Sequence, residues 1–352
     1  MHPKLIRIKN FSPEELKTTV QETGEPAFRA RQIIKWVYQK RVDTFDEMTT
    51  MSKTLRTRFS EMFTVEKLVP RKTLVSENRD AVKFAFRLCE SDHSVECVLL
   101  YDGKRRTACL SSQLGCGLGC VFCVTGQMGF IRNLTQEEIL GQLIGINDYL
   151  AAQGDKPVTN IVFMGMGEAL SNFEVLERVI KIIMHEDAFN LGGRKITVST
   201  AGILPSIERL MNSELNVGLA ISLNAYSDEE RNRLMPVSRS YPIRSLVDIA
   251  RRFYRKTGRR VTFEYVLIKG KTDTREAIAA LHKLLGGFPC KINLIPINPG
   301  GGVDEIKPPS DNKLTWFADE LHRRGLSATI RKSRGRDISG ACGQLAGEAL
   351  KR

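Results

Sequence analysis

From Thr107 onward, two hydrophobic patterns take turns along the chain. Short apolar runs rich in β-branched residues, TACLSSQ, NIVFMGMGE, KITVSTAG, NVGLAISLNA, RVTFEYVLIKG and KINLIPINP, read as strands. Between them, apolar positions recur every three or four residues in TQEEILGQLIGINDYLAAQG, FEVLERVIKIIMHED, ILPSIERLMNSE, SLVDIARRFYRKTG and TREAIAALHKLLGG, and a last such stretch, SDNKLTWFADELHRRG, follows the sixth run. That spacing puts the apolar side chains on one helical face. Thr135 with Glu138 three residues later forms a capping box that starts the first of these helices. Strand and helix alternating at this interval predict parallel strands joined by right-handed crossovers. Six units fall short of the eight that close a barrel. The expected fold is therefore α/β: a partial (β/α)6 TIM-like barrel, open on one side, with its site at the C-terminal ends of the strands. No internal repeat beyond this alternation is evident.

Upstream the pattern differs. Residues 1–65 read as a small helical domain. Ser12-Pro13 opens one helix, and Ala27–Lys40 forms a second, with Ile33, Ile34, Val37 and Tyr38 on one face and Arg29, Arg31, Lys35, Lys40 and Arg41 on the other. FDEMTTMSKTLRTRFSEMF reads as a further amphipathic helix. The basic face is either an RNA contact or a solvated surface. Residues 66–101 form a β-rich extension built from KLVPRKTLVS, AVKFAFRLCE and SVECVLLYDG, and residues 102–352 carry the barrel and a C-terminal segment.

Composition narrows the possibilities. At 352 residues and 42% hydrophobic, the chain can bury a large core and a small one. It has no apolar run long enough for a membrane span and no apolar leader after MHPKLIRIKNF, so a cytoplasmic location without membrane contact is expected. Eight cysteines in such a chain are expected to be ligands or reactive thiols rather than structural disulfides. The formal net charge of +13 favours a polyanionic partner, nucleic acid above all, over a charge that serves solubility alone.

Polar or glycine-bearing groups end the predicted strands: Gly165-Met166-Gly167-Glu168, Ser199-Thr200, Ser222-Leu223-Asn224 and Asn298-Pro299-Gly300. After the first strand comes SSQLGCGLGCVFCVTGQMGF, with Cys116, Cys120 and Cys123 spaced C-x3-C-x2-C. Thiolates are soft ligands that hold iron–sulfur clusters. Three of them on a glycine-rich loop can hold three corners of a four-iron cube and leave the fourth open to a small molecule. A zinc site with Cys109 as fourth ligand is the alternative, although such sites usually pair C-x2-C units or mix in histidine.

The triplet resembles the signature of the radical S-adenosylmethionine (SAM) enzymes, as does GMGE after the second strand. The resemblance narrows at VECVLLYDGKRRTACLSSQLGC, at RKSRGRDISGACGQLAG and at FDEMTTMSKTLR, which resemble the radical SAM adenine methyltransferases of ribosomal RNA, the RlmN/Cfr family, over nearly the whole chain. It implies a [4Fe-4S] cluster on Cys116, Cys120 and Cys123, with SAM chelated by the open iron and cleaved by one electron to a 5′-deoxyadenosyl radical. It implies SAM contacts at Gly167, Glu168, Ser199, Ser222, Leu223, Asn224 and Asn298. It also implies that Cys342 is methylated by a first SAM and that a second SAM removes a hydrogen from the S-methyl group. The resulting carbon radical adds to the ring, Glu96 takes the ring proton, and Cys109 attacks the Cys342 sulfur, leaving a transient disulfide. This route suits an adenine C2, an electron-poor carbon that direct alkylation would not reach, whereas a thiolate is a strong nucleophile. The implied substrate is an adenine of 23S rRNA, methylated at C2 (C8 being the Cfr alternative), with tRNA as a second substrate and a flavodoxin-like electron donor as partner to a monomer. The basic run at 331–336 beside Cys342 suits phosphate contacts or a solvated tail. Cys89, Cys97 and Cys290 have no such role and read as core or surface thiols. The chain departs from the family where GEP is replaced by Glu168-Ala169, where SLH is replaced by Ser222-Leu223-Asn224, and where Ile297 and a glycine run flank Asn298-Pro299.

Overall fold

Ser12 begins the first helix by the means its sequence suggests: its hydroxyl accepts from the Glu15 N–H while the Glu15 carboxylate accepts from the Ser12 N–H. In the computed structural model, which describes residues 5–88, 91–298 and 306–346, this helix (α1, Pro13–Glu22) follows a short strand (β1, Ile6–Arg7). Helix α2 (Phe28–Ile34) continues as a π-helical turn over Lys35–Lys40. The stretch read as a third helix is two pieces, a 3-10 turn at Phe45–Glu47 and helix α3 (Lys53–Met62), because the Ser52 side chain caps a new helix start. A strand at Phe63–Thr64 (β2) then pairs in parallel with β1.

This module is locked to the barrel by buried polar contacts. The Lys9 ammonium, 1% exposed, donates to the carbonyls of Val65 and Glu66 and faces Glu137. Gln136 donates to the Lys9 and Phe11 carbonyls. The face expected to be freely basic is largely engaged inside the molecule. Arg31 and Lys35 pair with Asp187 at 2.6 and 3.2 Å, Arg41 pairs with Asp148 at 2.7 Å, and Arg29 lies 3.8 Å from Glu25.

One ten-stranded sheet dominates the rest. Its first members are β3 (Pro70–Val75), β4 (Ala81–Arg87), β5 (Ser94–Asp102) and β6 (Arg105–Cys109). A separate antiparallel hairpin joins β7 (Gln113–Cys116) to β8 (Gly129–Asn133), with a short helix, α4 (Val124–Gln127), inside it. Then follow α5 (Gln136–Ala152), β9 (Asn160–Phe163), α6 (Phe173–Met184), β10 (Ile196–Thr200), α7 (Leu204–Asn212) and β11 (Gly218–Ser222). The chain goes on through α8 (Asp228–Leu234), α9 (Ile243–Thr257), β12 (Thr262–Leu267), α10 (Arg275–Leu285), β13 (Lys291–Pro296), α11 (Asp311–Arg323) and β14 (Ala328–Ile330).

The strand order is β14-β13-β12-β11-β10-β9-β6-β5-β4-β3, linear and therefore open. From β6 to β14 neighbours run parallel; β3, β4 and β5 are antiparallel and extend the same sheet through β6. The six predicted barrel strands are present, and β14 adds a seventh parallel member that its three residues gave too little pattern to reveal. Helix α5 has Gly145 where it crosses β4, and a Cβ there would lie 2.4 Å from the Phe86 ring, which is 1% exposed. Emptying that contact by Phe86→Ala would cost about 3–5 kcal/mol.

Candidate active site

The parallel strands end around one cavity of about 470 Å³, a size suited to a cofactor-sized ligand. Its wall includes Cys109 from β6, Cys116, Cys120 and Cys123, Gly167 and Glu168 after β9, Ser199 from β10, Ser222 and Asn224 at the end of β11, Asn298 after β13, and Cys342. Leu223 does not line it: the side chain is fully buried in the core, and its N–H donates to the Glu264 carbonyl. Pro299, Gly300 and Cys89 lie outside the described residues. Cys97 and Cys290 are buried.

The cysteine triplet stands on the hairpin rather than on a plain loop. Cys116 ends β7 opposite Gly129, and Cys123 precedes α4. Burial first, then Glu168 and Cys123, push the Cys116 thiol up to about 11. Burial first, then Cys123 and Cys116, push the Cys120 thiol up as well, and burial raises Cys123. Thiolates at these three positions would repel one another, and a positive metal centre relieves that cost, so the donor set fits a thiolate-held cluster. Cys109, the fourth ligand that a zinc site would need, is pushed up to about 12 by burial, and the thiol next to it is Cys342, with Arg331 opposing. Among the described residues no three His, Cys, Asp or Glu side chains are disposed around a single ion.

Behind the triplet, Gly167 has φ +96° and a Cβ there would lie 2.4 Å from the Gln113 Cβ, so only glycine fits. Gln113 accepts from the Glu168 N–H at 2.8 Å. The Glu168 carboxylate, raised by burial, accepts from the N–H groups of Ala201 at 2.8 Å and Leu170 at 3.3 Å. One oxygen of Asn224 and one of Glu264 are buried without a protein partner on the cavity wall, as expected where a ligand supplies the missing donors.

The Cys342 segment is stitched down at several points. The Asn298 amide donates to the Cys342 carbonyl at 3.1 Å, the Val124 N–H donates to the Gly343 carbonyl at 2.8 Å, and Thr125 donates to the Leu345 carbonyl. The Ala346 N–H donates to the Glu96 carboxylate at 3.0 Å, whose other oxygen is 3.3 Å from the Lys83 ammonium. Glu96 shares its strand face with Val98 and Leu100, which line the cavity. The structure thus brings together Cys109, Cys342 and the triplet, with Glu96 at the edge beneath the C-terminal segment.

The radical SAM superfamily model matches residues 110–282, and the model of the ribosomal RNA large subunit methyltransferase N-terminal domain matches residues 6–65. The dual-specificity RNA methyltransferase RlmN of Geobacter sulfurreducens is 44% identical over 99% of this chain and 94% of its own length. The chain belongs to the RlmN family of radical SAM methyltransferases. The probable dual-specificity RNA methyltransferase RlmN of Clostridioides difficile is 41% identical over 98% of both chains. The crystal structure of a radical SAM methyltransferase from Sphaerobacter thermophilus superposes with a TM-score of 0.92 at 40% identity, over 97% of this chain and 99% of that one. A [4Fe-4S] cluster and SAM are the cofactors of this family. Among the described residues no helix is long and apolar enough to cross a membrane.

Residues that the sequence did not single out include Gln113, Arg231, Glu264 and Asn293, and Arg331 figured only as part of the basic run at 331–336. Arg231 lies wholly buried and Glu264 is 4% exposed. The one available signal was a charge at an inward position of an apolar strand, as in FEYVLI.

Proposed function

We propose that this chain methylates C2 of an adenine in 23S rRNA, and an adenine in tRNA, through a methyl group carried on Cys342. The reading rests on Cys109 and Cys342 sharing one cavity with the cysteine triplet, in a chain whose relatives are named for RNA methylation. The +13 charge suits an RNA partner. In this reading Cys116, Cys120 and Cys123 hold the cluster, and Gly167, Glu168, Ser199, Ser222, Leu223, Asn224 and Asn298 surround SAM. Leu223 acts there by holding the turn, its N–H bound to the Glu264 carbonyl and its carbonyl to Arg231. When bound, cluster and SAM supply a one-electron cleavage that yields a carbon-centred radical.

The chain's own residues do the rest. The Cys342 thiolate accepts a methyl group from one SAM and presents it to the base. Glu96, its carboxylate released from Ala346, takes the ring proton. Once the Cys342-borne carbon, less one hydrogen atom, is bonded to the ring carbon and one electron has returned to its source, Cys109 attacks the Cys342 sulfur. The S–C bond breaks, and its electron pair with a proton completes the new methyl group. The Cys109–Cys342 disulfide left behind is reopened by a thiol reductant, with a flavodoxin-like protein as the electron donor for the radical step. Residues 1–65 form an accessory domain, residues 66–101 the β-rich extension and residues 102–352 the catalytic barrel, acting as a cytoplasmic monomer. Incubating reconstituted enzyme with SAM, reductant and unmodified rRNA or tRNA, followed by nucleoside mass spectrometry, tests this. 2-Methyladenosine is expected; 8-methyladenosine would move the reaction to C8, and no methylated adenosine would overturn the proposal.

A further inference from the structure

Across the inner face of the barrel, Ser222, Glu264, Asn293 and Thr329 are in register on four neighbouring strands, β11 to β14, and all four line the cavity. Arg331, two residues beyond Thr329 and so on the same side of the chain, lines it too. Glu264 is 4% exposed. One of its oxygens accepts from the Asn293 amide at 3.0 Å, and the other, Oε2, has no protein partner. A buried carboxylate oxygen left unpaired at a cavity wall is costly unless a ligand donates to it.

Arg331 is fixed at its backbone by the Leu294 carbonyl, and among the described residues its guanidinium donates to the Met164 sulfur at 3.5 Å on the cavity wall. The charges that Cys342, Glu264 and Cys109 can carry act on it, and they hold it above its ordinary value despite burial. Met164, which the Arg331 guanidinium meets, also meets the Cys109 thiol through its backbone, so Arg331 links the β13–β14 side of the cavity to its thiol end. Glu264 pairs in register with Ser222 on one side and Asn293 on the other, and Arg331 is the charge that acts on it.

The order acceptor, donor, reacting thiol matches one edge of adenine. That edge presents the 6-amino group as donor, N1 as acceptor and then C2–H. Guanine presents O6, an N1–H and a 2-amino group in those places, which mismatches every member. We infer that Glu264, oriented by Asn293 and flanked by Arg331, forms a base-recognition subsite that accepts the 6-amino group of the target adenine and selects adenine over guanine. The inference rests on the proposed RNA adenine substrate.

The test pairs a substrate change with a protein change. A short RNA substrate is made with adenosine or purine ribonucleoside, which lacks the 6-amino group, at the modified position. Wild-type enzyme should lose kcat/KM by about 10- to 100-fold on the purine RNA, because a buried acceptor is left unpaired. Glu264→Ala should be poor on both RNAs and discriminate between them by less than about threefold. Glu264→Gln preserves shape and the Asn293 contact if the alanine variant folds poorly, and its discrimination should also fall. SAM affinity, measured by equilibrium binding without RNA, should stay within about twofold of wild type in both variants. Equal discrimination in wild type and variants, or a large loss of SAM affinity, overturns the subsite. Failure of wild type on the adenosine RNA would instead refute the substrate reading itself.

Discussion

Arg231→Met removes the charge that gathers the ends of two barrel strands. The guanidinium is fully buried and donates to the carbonyls of Ala201 at 2.6 Å, Ser222 and Leu223 at 3.1 Å and Tyr241 at 3.2 Å. Burial pulls it down to about 10, so it is still protonated at neutral pH. Ala201 follows β10, and Ser222 with Leu223 closes β11, the two turns proposed to hold SAM. Methionine keeps much of the apolar volume but leaves these carbonyls without the donor. Each orphan costs about 1–3 kcal/mol, partly offset by no longer burying a charge, so a net loss of about 3–5 kcal/mol is expected. Unfolding entropy near 2.1 cal/mol/K per residue gives about 0.7 kcal/mol/K for 352 residues, which converts the loss into a Tm drop of about 4–7 °C. Scanning calorimetry of anaerobic protein reads this directly, and SAM affinity should weaken with it. Arg233→Met, which removes an exposed charge paired with Glu229 on the same helix, is the control and should cost under about 0.5 kcal/mol. A melting temperature for Arg231→Met within 1 °C of the control would refute the clamp.

Other substitutions probe other links. Cys109→Ala should accumulate a covalent protein–RNA adduct that survives denaturing electrophoresis, and Cys342→Ala should form none; free methylated RNA at the normal rate from Cys109→Ala would remove that thiol from the release step. Cys123→Ser should lose the brown colour and most of the roughly four irons per chain that a cubane brings, read by iron analysis after anaerobic purification; undiminished iron would contradict the triplet's role. Glu137 is buried against Arg7 and Lys9, and burial raises its pKa despite their pull. A carboxyl raised on folding contributes stability below its unfolded value of about 4.3 and loses it as pH rises through the folded value. Urea titrations should therefore show wild type losing stability relative to Glu137→Gln as pH rises through that window; a flat or opposite trend would refute it.

Periodicity carried the barrel because its helices announce themselves: Thr135 and Glu138 form the capping box that the sequence suggested, and β10 ends on Thr200 and β11 on Ser222. The cysteine triplet was visible for a chemical reason, since few other arrangements use three close thiols. What stayed hidden depended on contacts distant in sequence. DEERNRL looks like a solvated charge run, yet Arg231 within it is buried among carbonyls from three other segments, at Ala201, Ser222–Leu223 and Tyr241. Arg31, Lys35 and Arg41 looked like a free cationic face because their acids, Asp187 and Asp148, lie more than a hundred residues away. Glu264 gave one weak signal, a lone carboxylate in the apolar run FEYVLI, and it becomes informative when Asn293 and Arg331 are seen to act on it. The β7–β8 hairpin escaped notice because glycines interrupt its alternation.

The most direct trial of methyl transfer through Cys342 uses SAM with an isotopically labelled methyl group, a single turnover and peptide mapping of the protein before RNA is added. The peptide containing Cys342 should carry one labelled methyl group, and that label should pass to adenosine once RNA and reductant are supplied. Labelled methyladenosine appearing while the Cys342 peptide never carries label would contradict the account.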